Sequence, residues 1–442
     1  MATPALRLEP YLELARRFDP IEVSGRVARV IGLTVEVLGL ELPVGELCLV
    51  GNGTAPVMAE VVGFRDGVTL LLPLGDLGGI APGQRVVPTG RAHLVGVGHG
   101  LLGRVLDGLA RPLDGRPLPP PEAWYPVDAT PPNPLARRRI KEALPTGVRA
   151  VDALLTLGKG QRVGIFAGSG VGKSTLLGMI ARHSTAEVNV IALIGERGRE
   201  VLDFMEKDLG PAGLAKSVVV AATSDQPALV RIKGAFVATT IAEFFRDQGK
   251  DVMLMMDSLT RLAMAQREVG LAVGEPPTAR GYTPSVFALL PRLLERAGRT
   301  SKGSITGLYT VLVDGDDLNE PISDAARAVL DGHIVLARRL AARNHFPAID
   351  VLASVSRLMP EVTAPAHREA ASRLRDLMAA YEQAEDLINI GAYQKGTNPR
   401  VDAALERHDA IRAFLRQEME EYSTFTEAVS GLEQLVSGLV PA

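Results

Sequence analysis

The stretch Gln161–Leu177 reads Q-R-V-G-I-F-A-G-S-G-V-G-K-S-T-L-L, and its residue types are those that a polyphosphate demands. Val163, Ile165 and Phe166 predict a short buried strand, Gly168, Gly170 and Gly172 a tight turn, and Lys173, Ser174 and Thr175 the start of an apolar helix through Leu176, Leu177 and Ile180. Strand, glycine-rich loop and helix in that order make a phosphate-binding loop. Glycines let the backbone of Gly168, Ser169, Gly170, Val171 and Gly172 curl so that several N–H groups face one anion, and the helix adds its positive end. Lys173 is expected to reach the β- and γ-phosphates, and the Ser174 hydroxyl to sit on Mg²⁺. The first glycine of G-x-x-x-x-G-K-[ST] is Ala167 here, at a position ahead of the turn where a methyl group is tolerable.

Three more polar positions follow apolar runs. Val252–Asp257, V-M-L-M-M-D, ends in a carboxylate where an α/β sheet gathers Mg²⁺-organising acids, so Asp257 is expected to hold the ion directly or through water. The plainer reading is a strand-end aspartate capping the next helix. Gly195–Glu200, G-E-R-G-R-E, comes straight after the run Val188–Ile194, a strand expected to lie next to the phosphate-loop strand. Glu196 or Glu200 would then orient an attacking water and share its proton, with the pattern favouring Glu196. Ser354–Arg357, S-V-S-R, follows the run Ile349–Ala353, and an arginine at that edge stabilises charge on a transferring phosphoryl group or makes a structural ion pair. Nothing in the pattern says whether Arg357 serves its own nucleotide or a neighbour's.

The elements that must position these groups alternate. Strands are predicted at Val188–Ile194, Ser217–Ala222, Val252–Met256, Leu308–Val313, His333–Leu336 and Ile349–Ala353, with helices such as Ala228–Gln248 and Ser285–Arg296 between them. That is an α/β P-loop (RecA-like) domain with a mainly parallel sheet. Ahead of it, residues 21–95 hold six short Val- and Leu-rich runs between glycine turns, the pattern of a small closed β-barrel. A connector follows in which Gly103–Leu113 resembles a short helix. Its run Arg137-Arg138-Arg139 with Lys141 is short and isolated, and reads as a linker or an intersubunit ion pair. Residues 1–20 show an amphipathic helix pattern from Pro10 onward, suited to docking a partner or packing on the chain itself. Residues 361–442 are mostly helical: His367–Asp386, Arg400–Gln417 and Phe425–Ser437. The expected organisation is therefore a docking helix at 1–20, an N-terminal barrel at 21–95, connector and ATPase domain at 96–360, and a C-terminal α-helical domain at 361–442.

Composition narrows the function. A net charge of −3 gives no electrostatic footprint for nucleic acid or membrane, and 4% aromatic residues provide no base-stacking platform. One cysteine, Cys48, excludes an internal disulfide and fits a reducing cytosol. No apolar run reaches transmembrane length, and Met1–Asp19 lacks the order of a signal peptide.

The order A-G-S-G-V-G-K-S-T, G-E-R-G-R-E-V, M-M-D-S-L-T-R and S-V-S-R resembles the rotary-ATPase superfamily, as does Gly274–Pro291. Within it the chain most resembles the flagellar type III protein-export ATPases, through Ala222–Phe236 and Asp314–Asp324 as well. Injectisome export ATPases are close relatives, and the catalytic subunit of a rotary ATP synthase is a further alternative. A Rho-like helicase needs a basic, aromatic barrel that Ile21–Val95 lacks. The resemblance implies Mg²⁺-dependent ATP hydrolysis, with ATP cradled by Gly168–Thr175, Lys173 and Ser174 on phosphate and Mg²⁺, and Asp257 as the second acidic motif. It implies Glu196, rather than Glu200, as the catalytic glutamate, with Arg197 tying the site to the subunit interface and Arg357 as an arginine finger from the adjacent subunit. Phe346 falls beside the adenine, and Tyr393 and Gln394 complete that pocket. It further implies a cytoplasmic homohexamer associated peripherally with the inner-membrane export apparatus. Its partners would be a dimeric regulator on the N-terminal helix, a central stalk protein, the export gate, and chaperones with their flagellar substrates.

Overall fold

A computed structural model describes residues 23–51, 56–313, 317 and 319–438. The amphipathic pattern expected over 1–20 lies outside them. The chain divides into two compact units, Met1–His93 and Leu94–Ala442.

In the first unit the six expected runs become strands β1 (Gly25–Ile31), β2 (Thr34–Leu38), β3 (Glu46–Val50), β4 (Val57–Arg65), β5 (Val68–Pro73) and β6 (Arg85–Ala92). They close into a barrel in the order β1-β2-β5-β4-β3-β6, with Gly25 of β1 paired to Val86 of β6. Closure leaves no open sheet edge. Side chains alternating inward, among them Val27, Val35, Cys48, Val61, Leu71 and Val86, fill the interior. Cys48 is fully buried, and that burial pushes its thiol up to about 12, so it is a packed, unreactive group.

The second unit begins with β7 (Leu94–Val97), β8 (Arg104–Asp107) and β9 (Ala123–Pro126). β7 and β9 pair antiparallel. The short helix expected at Gly103–Leu113 is not formed. Arg104–Asp107 extends instead as an edge strand parallel to β12 (Ser217–Ala222), with Val105 and Leu106 opposite Val219 and Val220. The alternation of Arg104, Val105, Leu106 and Asp107 fits a half-covered edge, and pairing with an already built sheet outweighs local helical preference.

The main sheet also contains β10 (Arg162–Ala167), β11 (Val188–Ile194), β13 (Asp251–Asp257), β14 (Gly298–Arg299), β15 (Ser304–Leu312), β16 (Gly332–Leu336) and β17 (Ile349–Ser356). Its order is β17-β16-β10-β15-β13-β11-β12-β8, with β14 off the path on β15. All neighbours are parallel except β14 on β15 and β17 on β16. β11 and β12 are buried at every position, as strands covered on both faces must be. The helix Ala228–Asp247 is buried on nearly all sides.

The order corrects one expectation. β11 does not adjoin β10; β15 and β13 intervene. Sequence distance misled here, because a long crossover lets a later strand enter next to β10.

Three helices follow the sheet: Pro365–Asn389, Pro399–Leu415 and Phe425–Val436. Gly391 and Gly396 take left-handed φ of 72° and 94° in the loop between the first two, where a side chain would strain the backbone. Gln417 ties this region back to the start of the short helix Arg149–Leu154 ahead of β10: its amide donates to Gly147 O at 2.8 Å and its carbonyl accepts from Arg149 N–H at 2.8 Å.

One buried cation locks the connector to the sheet-covering helices. Arg296 is 0% exposed, donates to Glu243 at 2.9 Å and 2.5 Å, to Thr240 Oγ1 at 2.9 Å and to Val127 O at 2.7 Å. Removing one partner of such a pair strands the other charge. Arg296→Ala should therefore lower the unfolding free energy of the Leu94–Ala442 unit by about 3–5 kcal/mol, read by urea titration; a loss under about 1 kcal/mol would show the network to be expendable.

Candidate nucleotide site

The phosphate loop forms where β10 ends. Ala167 is its last residue, buried between Leu312 and Leu336 of the flanking strands with an ordinary strand backbone, so the missing glycine costs nothing. Gly170 and Gly172 do require glycine, with φ of 77° and 88°. Gly172 caps the helix Lys173–His183, which presents unpaired N–H groups to the loop. The Val171 side chain points into the core rather than the cleft. Gly178 in the same helix lies so close to Asp208 that an added Cβ would stand 2.6 Å from its carbonyl oxygen. This contact seats the helix on the segment Phe204–Leu209.

A cleft of about 450 Å³ opens above the loop, lined by Gly168–Gly170, Gly172–Thr175, Glu196, Arg197, Glu200, Asp257 and Arg261 among others. Lys173 Nζ donates to Asp257 Oδ1 at 2.5 Å and lies 3.7 Å from Glu196 Oε1. Asp257 ends β13 and is buried, with the Thr310 hydroxyl of β15 donating to its Oδ1 at 2.7 Å. Glu196 arrives from the end of β11. Although β11 is far from β10, it is hydrogen-bonded to β13, where Leu193 faces Asp257. The extended lysine bridges the remaining gap.

Glu196 is the perturbed group. Burial first, then a hydrogen bond to Glu200 and the negative charge of Asp257, push it up to about 7. Its Oε1 is buried without a hydrogen-bond partner among the described residues. Glu200 moves the other way, held down chiefly by the hydrogen bond from Glu196. Glu200 also accepts from the Arg197 backbone N–H at 3.4 Å and from Arg197 Nη1 at 3.3 Å, closing a capping box on the helix Gly198–Asp203. The Arg197 side chain is 76% exposed.

Other expected residues lie apart. The Phe346 ring flanks the loop, 3.5 Å from where a Cβ on Gly172 would sit. Tyr393 and Gln394 do not line the cleft. The Tyr393 hydroxyl is shared between Asn398 O at 3.0 Å and Asp402 Oδ1 at 2.9 Å, at the start of the helix Pro399–Leu415. Arg357 follows β17, and because β17 is antiparallel it emerges at the sheet edge opposite the phosphate loop, not at that edge as a parallel strand would place it. Its N–H donates to Asp331 O, whose own N–H donates to Arg162 O at the start of β10. The loop begins at the far end of β10, about 17 Å away at about 3.3 Å per residue.

Two residues went unassigned in the sequence. Thr310 orients Asp257, and a threonine inside an apolar strand carries no local signal of that role. Arg261 lines the cleft with its Nε unpartnered among the described residues. It stands in the first turn of the helix Leu259–Val273, which follows directly on the strand that Asp257 ends.

A mostly parallel sheet that brings a glycine-rich loop, a lysine and two carboxylates to one cleft defines a P-loop nucleotide-binding ATPase. Residues 147–356 match the nucleotide-binding domain of the ATP synthase alpha/beta family, 27–90 its beta-barrel domain, and 363–434 the T3SS EscN ATPase C-terminal domain. The chain is 52% identical to the flagellum-specific ATP synthase of Bacillus subtilis (strain 168), over 97% of this chain and 99% of that one. It is 53% identical to the type 3 secretion system ATPase of Xanthomonas euvesicatoria, over 91% of each. The assembled ATPase EscN of enteropathogenic E. coli, solved in complex with its central stalk EscO, superimposes with a TM-score of 0.87 at 45% identity, covering 93% of this chain and all of that one. The chain belongs to the ATP synthase alpha/beta family, on its type III export ATPase branch, and a nucleotide is its substrate.

Gly172 tests the loop. Gly172→Ala forces a left-handed φ on a residue with a Cβ, at about 1–3 kcal/mol. Nucleotide affinity should fall about 5- to 100-fold in an ADP titration, with circular dichroism unchanged; full affinity would show the loop to be more adaptable than its geometry indicates.

Proposed function

We propose that this cleft hydrolyses ATP with Mg²⁺ and that the hydrolysis energises export of flagellar proteins through a type III secretion apparatus. The observation that carries the chemistry is the convergence of Lys173 on Asp257 and Glu196 inside the cleft of the phosphate loop. The C-terminal match over 363–434 favours export over a rotary ATP synthase subunit.

The donors suit Mg²⁺. Ser174 and Asp257 offer hard oxygens, and among the described residues no group of three or more His, Cys, Asp and Glu side chains forms a self-contained metal cage. Such a partial set matches an ion held largely by substrate phosphates and water. When bound, Mg²⁺ neutralises charge on the β- and γ-phosphates. The loop N–H groups and Lys173 hold the phosphates in line, Lys173 exchanging its contact with Asp257 for phosphate oxygens. Glu196, ionised, accepts a hydrogen bond from the attacking water and takes its proton as the new P–O bond to the γ-phosphorus forms and the bond from that phosphorus to the β,γ-bridging oxygen breaks, ADP leaving with the electron pair. Glu200 tunes Glu196, Arg197 lies exposed beside it for a neighbouring subunit, and Phe346 flanks the adenine.

Arg357 supports action in trans. Standing at the opposite sheet edge from its own phosphate loop, it would complete the site of the next subunit in a ring. The assembled state of EscN supports a homohexamer, and its complex with EscO supports a central stalk partner here. A dimeric regulator on residues 1–20, the export gate, and chaperones with substrates complete the proposed partners. The proposed location is the cytoplasmic side of the inner-membrane export apparatus; among the described residues no helix is long and apolar enough to cross a membrane. Pull-down from the native cell, scored for flagellar against injectisome components, separates the two export branches.

Glu196→Gln should keep ATP binding and lose about 10²-fold or more in turnover. For the intact enzyme the ionised form is the active one, so kcat/KM should fall as pH drops through about 7 and level off above it. Glu200→Gln, which replaces a hydrogen-bonded carboxylate by a neutral amide, should move that fall to lower pH. Near-normal turnover in Glu196→Gln with an inactive Glu200→Gln would transfer the role.

The ring arrangement is tested by mixing two inactive variants. Lys173→Ala spoils its own site but offers an intact Arg357; Arg357→Ala does the reverse. Subunit exchange should restore part of the activity, since an arginine finger is worth roughly 10³–10⁵ in rate. A mixture that stays inactive at every ratio, with exchange verified by labelled subunits, rejects action in trans.

A further inference from the structure

β15 stands between the phosphate-loop strand and the strand that Asp257 ends, and it carries no charged residue. Thr310 sits in it, 0% exposed, between Tyr309 and Val311. A hydroxyl buried among apolar side chains must find a hydrogen-bond partner. Two acceptors lie in reach, Met256 O at 3.4 Å and Asp257 Oδ1 at 2.7 Å. The single proton goes to the nearer, charged oxygen.

The donor is itself fixed. Thr310 stands opposite Ile165 of β10, and its neighbour Tyr309 opposite Met256 of β13, so the hydroxyl rides on a strand bonded on both sides. Two residues on, the Leu312 peptide is gripped by Thr260 in the first turn of the helix Leu259–Val273. The Thr260 hydroxyl accepts from Leu312 N–H at 2.8 Å and donates to Leu312 O at 3.3 Å. Threonine is also stiff at its first side-chain torsion and has little freedom to lose. Lys173, the other donor to Asp257, is the opposite case: its ammonium sits on a flexible stem and its contact is exchanged when phosphate arrives. Both bonds fall on Oδ1, and none reaches Oδ2 among the described residues.

We propose that Thr310 is a positioning residue for Mg²⁺, acting through Asp257. This role rests on the Mg²⁺-nucleotide reading of the cleft given above. Once Lys173 turns to the phosphates, the Thr310 hydroxyl is the donor left on Oδ1 among the described residues. It satisfies that buried oxygen, which lowers the cost of the exchange. It also pins the plane of the carboxylate, so that Oδ2 stays available to the ion or its water. Without the hydroxyl the carboxylate keeps Lys173 or turns about its Cβ–Cγ bond, and it must be ordered anew each time the ion binds.

The full-length chain is titrated with the fluorescent N-methylanthraniloyl derivative of ADP, once with Mg²⁺ and once with excess EDTA, so that the ratio of the two affinities reads the metal alone. Wild type should bind more tightly with Mg²⁺, and Asp257→Asn should lose most of that gain. Thr310→Val, close in shape but without the hydroxyl, should cut the ratio about three- to tenfold, the scale of one hydrogen bond. Thr310→Ser should keep it within about twofold, and Thr310→Val added to Asp257→Asn should change nothing further, since the two residues act as one unit. If Thr310→Val does not fold by circular dichroism, Thr310→Ala removes the same hydroxyl and carries the comparison with Thr310→Ser. An unchanged ratio in the hydroxyl-free variant, or an equal loss in Thr310→Ser, overturns the positioning role and leaves the Mg²⁺ reading intact. A wild-type affinity that ignores Mg²⁺, or a full gain in Asp257→Asn, overturns that reading and this role with it.

Discussion

The ion pair between Lys173 and Asp257 is the contact on which the nucleotide site turns. It joins the helix after β10 to the end of β13, two strands that do not touch, across the strand that separates them. That intervening strand, β15, contributes the Thr310 hydroxyl to the same carboxylate oxygen. One cation thus faces two carboxylates, Asp257 and Glu196, and the closer of them takes it. Glu196 is left with a buried oxygen lacking a hydrogen bond, which is why burial raises its proton affinity. A group poised near neutrality is efficient at proton exchange, and its neighbour Glu200 carries the complementary shift.

The sheet imposes a second constraint. Parallel strands all deliver their C-terminal ends to one edge, where α/β proteins bind ligands. β17 breaks the rule by running antiparallel, and so sends the residue that follows it to the other edge. A single chain therefore separates Arg357 from the phosphate loop by the length of β10, and the proposed division of the site between neighbouring subunits follows from this one reversed strand.

The helices after the sheet do more than cover it. They hold the loop of His345 and Phe346 through Gln417 and Arg416, and so reach the flank of the phosphate loop from the side away from the carboxylates.

Much of this was legible without coordinates. The loop Gly168–Thr175, the carboxylate ending an apolar strand at Asp257 and the six barrel strands are set by local chemistry: glycines where φ is positive, alternation where one face is buried, unbroken apolar runs where both are. Such signals are short-range and survive in one dimension. Strand order is not short-range. Nothing local says that β15 and β13 enter between β10 and β11, that Arg104–Asp107 prefers an edge of the sheet to a helix, or that β17 reverses, because each outcome is decided by pairing with strands distant in sequence. For the same reason the sequence could name Glu196 and Lys173 but not the distance between them, and could not see the role of Thr310. Those depend on which side chains the folded sheet brings within a few ångströms, and only the tertiary structure decides that.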